Sequence, residues 1–331
     1  MIDLAIDNVV IFMSTSVREL ARHLDPYPPA PTTLRTILKQ PNANLRLHIQ
    51  TAPFSVVCQN MGLMVFPAPY LGTEREGAID EIVSRIQSIS ADVVGLCEVF
   101  ADGEREDIFN RLKHIYPHFQ EGPDKTGLLD RKSDGGLLLL SKHPISQAHA
   151  IIYEDCVSWD SFAYKGMIHI RVQSPRCPMA HDIFFTHAQD IEPDGGREAL
   201  YKQLNAMNNM IRQYADPNTP TLIMGDINIP GENPRDYSEL LNRLRRPVDF
   251  WVVNGNEENS GFTFVADNNF YEDEDDNPRL NRRVDYVLMK AGARFIPVLK
   301  NIEILKFMRQ GRFISDHFGL YVQMETLVQV D

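Results

Sequence analysis

Three apolar runs in this chain end in the same way. "FSVVCQN" (54–60), "HDIFFTHAQ" (181–189) and "TLIMGDIN" (221–228) are strand-like segments suited to a core, yet they reach Asn60, His187, and Asp226 with Asn228. Side chains alternate faces along a strand, so residues two apart share a face. Phe54, Val56, Cys58 and Asn60 share one face; Ile183, Phe185 and His187 share another; Leu222, Met224, Asp226 and Asn228 share a third. Each face is apolar for most of its length and polar at its C-terminal end. A single strand of this kind needs no explanation beyond reaching solvent. Several together predict sheets that bury a core and line a polar site at one edge. "GLCEVF" adds Glu98 at the end of a further apolar run, "RRVDYVLM" sets Asp285 inside a strand, and "ISDHFGL" places Asp316 and His317 just before the last one.

Strands and helices alternate from Pro53 onward. The pattern predicts strands at 54–60, 92–100, 135–142, 166–173, 182–187, 221–228, 284–289 and 318–324, with helices at 76–89, about 103–115 and about 195–214. Residues 1–50 form an N-terminal extension with a proline-rich centre, "DPYPPAPTTL". Neither a repeat nor a low-complexity linker divides the remainder, so 51–331 is expected to be one α+β domain. The acidic run "YEDEDDNPR" (271–279) is expected to be a solvated loop.

Composition narrows the partners. The formal charge of −12 disfavours a protein that grips nucleic acid through a basic face. No stretch approaches the roughly eighteen apolar residues of a membrane helix. Asp3 and Asp7 stand where a secretory signal would carry Lys or Arg, so a cytoplasmic protein or non-classical export is expected. The four cysteines show no metal-ligand spacing; Cys58 and Cys97 are expected to be buried thiols, and Cys156 and Cys177 could pair in an oxidising compartment.

The residues gathered at the strand ends suit one chemistry. Asn60, Glu98, Asp226, Asn228 and Asp316 offer hard oxygen donors of the kind Mg²⁺ prefers. No HExxH or Cys/His pair points to zinc, and no GxSxG or Walker loop offers a rival. Two histidines among acids suit phosphoryl chemistry, in which one activates water and another serves the phosphate or the leaving group. A carboxylate such as Asp285 would fix the tautomer of a base histidine.

Taken in order, "QNMG", "CEVF", "THAQ", "GDIN", "RRVDY" and "SDH" resemble the endonuclease/exonuclease/phosphatase superfamily, the magnesium-dependent phosphodiesterases that include the pancreatic deoxyribonucleases. The resemblance implies a four-layered α/β sandwich, with two mostly antiparallel β-sheets face to face and helices outside. Within that group, "DVVGLCEVFADGEREDIFNRLKHIYPH", "KSDGGLLLLSKHPI" and "CVSWDSFAYKGMIHIRV" are similar to the neutral sphingomyelinases of the sphingomyelinase C type. The resemblance implies Mg²⁺, replaceable by Mn²⁺ or Co²⁺, held by Glu98 with Asn60 and Asp226. It gives Asp226 and Asn228 the placing of water and phosphate, and makes His317 the general base, oriented by Asp285. His187 would stabilise the phosphoryl oxygens or serve the leaving group, Asp316 would support, and Lys165, partnered by Asp160, would contact the phosphate.

Two departures stand out. Secreted bacterial sphingomyelinases carry an aromatic-tipped hairpin before the final Ser-Asp-His, whereas "KAGARFIPVLKNIEILKFMRQGRFISDH" shows no paired aromatic tip. No cysteine lies beyond Cys177 to repeat the bridge those proteins make. The expected substrate is a phospholipid or other phosphodiester, met by peripheral membrane contact. A nuclease or nucleotide phosphodiesterase of the same superfamily is the alternative.

Overall fold

The computed structural model describes residues 48–63, 75–123, 133–175, 180–256, 260–266, 268, 281–292 and 295–330. They lie within one compact unit, Leu47–Asp331. The acidic run 271–279, Cys177 and all but the last residues of the N-terminal extension fall outside the described residues.

Two six-stranded sheets carry the alternation seen in the sequence. The first contains β1 (His48–Leu63), β2 (Val93–Val99), β3 (His118–Gly122), β4 (Leu137–Ser141), β11 (Phe295–Leu305) and β14 (Gly319–Val330), in the order β11-β14-β1-β2-β4-β3. The second contains β5 (Ile145–Ile152), β6 (Gly166–Gln173), β7 (Ala180–His187), β8 (Thr221–Asp226), β9 (Val248–Asp249) and β10 (Asp285–Lys290), in the order β5-β6-β7-β8-β10-β9. Only β1/β2 and β7/β8 are parallel pairs; the other pairings are antiparallel. A short hairpin, β12 (Met308–Arg309) and β13 (Arg312–Phe313), precedes β14.

The two sheets pack face to face. A Cβ added at Gly95 in β2 would lie 2.7 Å from the Phe185 ring and 3.0 Å from the Met224 side chain of the opposite sheet. Only a glycine lets those two side chains pack so close to the β2 backbone. The helices cover the outer faces. On the first sheet, α1 (Arg75–Ile89) and α2 (Asp102–Leu112) bury Ile79, Ile82, Val83, Ile86, Ile108 and Leu112 against Val57, Val94, Leu96, Leu138 and Leu140. On the second, α3 (Gly196–Tyr214) and α4 (Pro234–Arg243) bury Leu200, Leu204, Met207, Ile211 and Leu240 against Phe184, Ile223, Tyr286 and Leu288. The i, i+3, i+4 spacing of these residues gives each helix one apolar stripe. Full burial of such side chains is worth roughly 1.5–3 kcal/mol each, which explains why the outer layers form despite indifferent capping of α2 and α3. By contrast, α4 starts on a well-made cap: the Asn233 side chain accepts from the amides of Arg235 and Asp236, and Pro234 follows it. A further short helix, α5 (Phe250–Val253), follows β9. The result is the expected α+β sandwich of four layers.

One strand end departs from the simple alternation. β8 stops at Asp226, and Asn228 lies beyond it with φ +57°. Glu98 in β2 likewise has φ +56°. Opposite Glu98, the β1/β2 register shifts between Asn60 and Leu63. A non-glycine residue in this region costs about 1 kcal/mol or more and needs surroundings that hold it there. Both cases fall at the edge where the polar residues gather. Cys58 and Cys97 are buried thiols, as expected.

Candidate active site

The polar strand ends converge. β1 and β2 run parallel and deliver Asn60 and Glu98; β7 and β8 run parallel and deliver His187 and Asp226. β10 is antiparallel to β8 and sets Asp285 opposite Asp226. Asn60 joins the sheets, its Nδ2 donating to Glu98 Oε1 at 3.1 Å and to Asp226 Oδ2 at 3.0 Å, while Gly62 N donates to its Oδ1.

His317 lies across this group. Its Nδ1 meets Asp285 Oδ2 at 2.9 Å, and its Nε2 lies 3.8 Å from Asp226 Oδ2. Asp285 can only accept when ionised, so the pairing places a proton on Nδ1 and aims Nε2 at Asp226. Burial works against a charged ring, but Asp285 and then Asp226 outweigh it and raise the His317 pKa well above its ordinary value. Phe264 packs beside the ring at 5.0 Å between centroids.

Lys165 enters from the other side. Its Nζ is 2.6 Å from Asp160 Oδ1 and 2.8 Å from His187 Nε2, and it donates to the Ala188 carbonyl at 2.8 Å. Lysine has no acceptor, so His187 Nε2 accepts and the His187 ring proton sits on Nδ1. Burial, with Lys165 and His317 adding to it, pushes the His187 pKa well below its usual value. His187 Nε2 lies 3.5 Å from Glu98 and 3.7 Å from Asp226. The charge beside those carboxylates therefore belongs to Lys165, whose ammonium is held protonated against burial by Asp160 and Glu98. Asn228 donates its backbone N–H to Asp226 Oδ1 at 3.0 Å and its side-chain amide to the Ala188 carbonyl at 3.0 Å.

Every residue singled out from the sequence lies in or beside this group. Asp316 stands slightly apart, touching Ser315 at 3.4 Å and acting on Glu98 through its charge. Sequence reasoning passed over two residues that fasten the His317 segment to Asn60 at the end of β1. Ser315 Oγ donates to the Asn60 carbonyl at 2.7 Å and accepts from His317 N at 3.0 Å. Gln59 Nε2 donates to the carbonyls of His317, at 3.1 Å, and of Asn60. Both sit inside the strings "QNMG" and "SDH". The signal that would have found Ser315 is its position two residues before an amide it can cap.

The donor set fits a divalent cation. Among the described residues, Lys165 and His317 are the cations that the charges of Glu98, Asp226 and Asp285 meet. Burial first, then Asp316, pushes the Glu98 pKa up to about 6; burial, then Asp285, pushes Asp226 up to about 7. Carboxylates crowded and buried this way lack a counter-charge. Two overlapping groups compete for such an ion: Asp226, Asp285 and His317, whose ligand atoms lie within 4.8 Å of one another, and Glu98, Asn60 and Asp226. In the first, the imidazole is engaged with Asp285 and inclined to stay protonated, so it is a poor ligand. The second offers the oxygens a hard cation prefers.

The fold and site define a two-sheet sandwich with acid and histidine groups at one edge of the paired sheets. The model described as the Endonuclease/Exonuclease/phosphatase family matches residues 70–317, and the chain belongs to that family. A phospholipase C from Staphylococcus aureus is 24% identical over 168 residues, 46% of this chain and 50% of that protein. A sphingomyelinase C from Listeria ivanovii is 26% identical over 176 residues, 48% of this chain and 52% of that protein. Each match spans about half the length of its relative. Among solved structures, SmcL superposes with a TM-score of 0.65 at 20% identity, covering 82% of this chain and 98% of that one. A Staphylococcus aureus beta toxin with bound magnesium ions gives 0.64 at 17% identity, covering 82% and 99%. D. rerio TDP2 with a single-strand DNA product gives 0.63 at 15% identity, covering 82% and 99%. These structural likenesses establish the fold.

Proposed function

We propose that residues 51–331 form a divalent-cation-dependent phosphodiesterase acting on sphingomyelin or a closely related phospholipid, with residues 1–50 outside that catalytic domain. The observation that carries this reading is the His317–Asp285 pair aimed at Asp226, with Lys165 on the far side of the same carboxylate. A general base must lie within reach of the proton it takes, and its pKa must be set by a neighbour. His317 takes the proton of a water positioned beside Asp226 and Asn228, and the Asp285 carboxylate stabilises the positive charge this leaves on the His317 ring. The water oxygen attacks phosphorus in line as the P–O bond to the lipid breaks, and the departing lipid oxygen takes up a proton from the Lys165–His187 side or from solvent, so that phosphocholine and ceramide are formed. Lys165 balances charge on the phosphoryl oxygens, while His187 orients Lys165 and serves the phosphate or leaving-group side. Glu98, Asn60 and Asp226 are the residues that would hold Mg²⁺, or Mn²⁺ or Co²⁺ in its place, which when bound supplies charge neutralisation at the phosphoryl group. The low-identity relatives named phospholipase C and sphingomyelinase C support the choice of substrate. A nuclease of the same family would keep this site and differ at its rim.

The test is phosphocholine release from sphingomyelin in mixed detergent micelles, with Mg²⁺ and with EDTA, beside phosphatidylcholine and DNA. Metal-dependent release from sphingomyelin, reduced at least 10²-fold in His317→Ala, is the expected result. Cleavage of DNA alone would discard the lipid assignment. Undiminished release by His317→Ala would discard the mechanism.

A further inference from the structure

Next to Asp160, a short 3-10 helix (Ser158–Phe162) exposes two large aromatic side chains. Trp159 is 64% and Phe162 44% exposed, and their rings lie 5.8 Å apart. Isolated apolar residues at a surface need no explanation, but an aromatic pair at the edge of a catalytic site does.

The segment is pinned at its centre. Asp160 uses one carboxylate oxygen on Lys165 at 2.6 Å and accepts from Asp190 N with the other at 2.7 Å. Ser161 Oγ donates to the Ser158 carbonyl at 2.6 Å, and Ser133 N donates to the Phe162 carbonyl at 3.1 Å. Trp159 and Phe162 thus stand one side chain from Lys165, on a backbone already ordered. Little entropy remains to be lost when they enter another phase.

The charges around the pair select what that phase is. Glu154, Asp155 and Asp160 lie on the same loop, and Asp190, Glu192 and Asp194 on the loop that Asp160 touches. Lys165 is buried, Lys202 pairs with Asp155 and Glu198, and Arg282 pairs with Glu192. Among the described residues these two loops carry more acids than bases, an excess that disfavours a polyanion such as DNA or an anionic bilayer. That excess tolerates a zwitterionic surface whose outermost group is a quaternary ammonium, and an exposed indole face attracts that group. Trp also favours the water–lipid boundary, where its ring and its N–H are both satisfied.

We propose that Trp159 and Phe162 form an interfacial docking surface that enters the headgroup region of a zwitterionic lipid layer and presents the site at Lys165 and His187 to it. The proposal rests on the reading of the site as one for a lipid phosphodiester. It places membrane contact on the loop that carries Asp160, not on the β12/β13 hairpin.

The test separates docking from chemistry by measuring binding in EDTA. The chain has two tryptophans, and the second, Trp251, donates to Ser260 Oγ at 3.0 Å. In Trp251→Phe, emission from Trp159 is followed as phosphatidylcholine/sphingomyelin vesicles are added, with brominated lipid as quencher. A blue shift and quenching are expected. Co-sedimentation, run in the otherwise unaltered chain, is expected to fall roughly tenfold for each of Trp159→Ala and Phe162→Ala and about a hundredfold for both. The double variant is expected to keep its metal-dependent turnover of a water-soluble phosphodiester while losing turnover on vesicles. Emission unmoved by vesicles, or equal partition of the double variant, overturns the proposal. Quenching by single-stranded DNA but not by vesicles assigns the surface to nucleic acid and overturns it as well. Vesicle binding without sphingomyelin hydrolysis would leave the docking surface intact and refute only the substrate assignment.

Discussion

Asp285→Asn is the sharpest single test of the site, because it removes a charge and almost no volume. Asp285 is 1% exposed, its Oδ2 lies 2.9 Å from His317 Nδ1, and its Oδ1 is buried without a hydrogen-bond partner. With charge centres about 4 Å apart, the pair is worth about 4 kcal/mol at an effective dielectric near 20. Removing it lowers the basicity of His317. The asparagine carbonyl still accepts from Nδ1, so the ring keeps its orientation and the fold persists. With a weaker and less firmly oriented base, turnover falls by roughly 10²–10³. The pH profile adds an independent sign. His317 must be neutral to act as base, and Asp285 raises its pKa above the ordinary value, so activity in the unaltered chain is lost as pH falls through that raised pKa. Without Asp285 the acid limb moves to lower pH while the maximum drops. The assay is kcat/KM for a water-soluble phosphodiester from pH 5 to 10 at saturating Mg²⁺, with Tm recorded beside it. A variant within threefold of the original at every pH, with its acid limb unmoved, would refute the assignment of the pair.

Two further outcomes follow from the geometry. Glu98→Gln keeps the contact with Asn60 and removes one of the carboxylates crowded at the site, so the Mg²⁺ concentration for half-maximal activity should rise at least tenfold; an unchanged Mg²⁺ titration would move the ion to the Asp285 side. His181, stacked on Phe54 at 4.0 Å, has its pKa pushed down to about 4 by burial. Between that value and about 6.5 the unfolded chain binds the proton more readily, so stability is complete above about 6.5 and falls by about 3 kcal/mol as pH drops toward 4. Urea unfolding at several pH values should show that slope, reduced in His181→Phe; coincident slopes would refute it.

What the sequence revealed and what it hid follow from where strands sit in a sheet. Every interior strand was legible, because its faces are covered and its sequence is either an apolar run, as in "TLIMG" of β8 or "LLLL" of β4, or a largely apolar stretch broken by single polar residues, as in "GMIHIRV" of β6. The strands that escaped are the edges β3, β5, β9 and β11, together with the small hairpin. In β5, "ISQAHAII" mixes solvated and half-buried positions without alternation and, among the described residues, pairs with β6, so it gives neither a period-2 pattern nor an apolar run. α4 escaped although Asn233-Pro234 announced its cap, since its stripe is short. The site residues were legible for the opposite reason, as polar residues breaking an apolar pattern. Asn228 was misplaced onto the strand because alternation knows nothing of its positive φ.

The same geometry explains why proteins of one fold can differ in what they act on. The groups proposed to react are spread over both sheets, Asn60 and Glu98 on one, His187, Asp226 and Asp285 on the other; Ser315 and Gln59 tie His317 to β1 of the first sheet, and Asp285 holds it from the second. Hydrogen bonds of this kind are worth about 1 kcal/mol each, but breaking one in a buried site leaves an unpaired polar group at a further cost. The floor of the site therefore cannot be altered piecemeal, and its backbone distortions at Glu98 and Asn228 fix it further. Discrimination between a lipid and a nucleic acid has to come from elements that no other part of the site depends on. In this chain those are the exposed positions that flank Asp160, such as Trp159 and Phe162, where substitutions change exposed aromatic area without touching the Asp160–Lys165 contact.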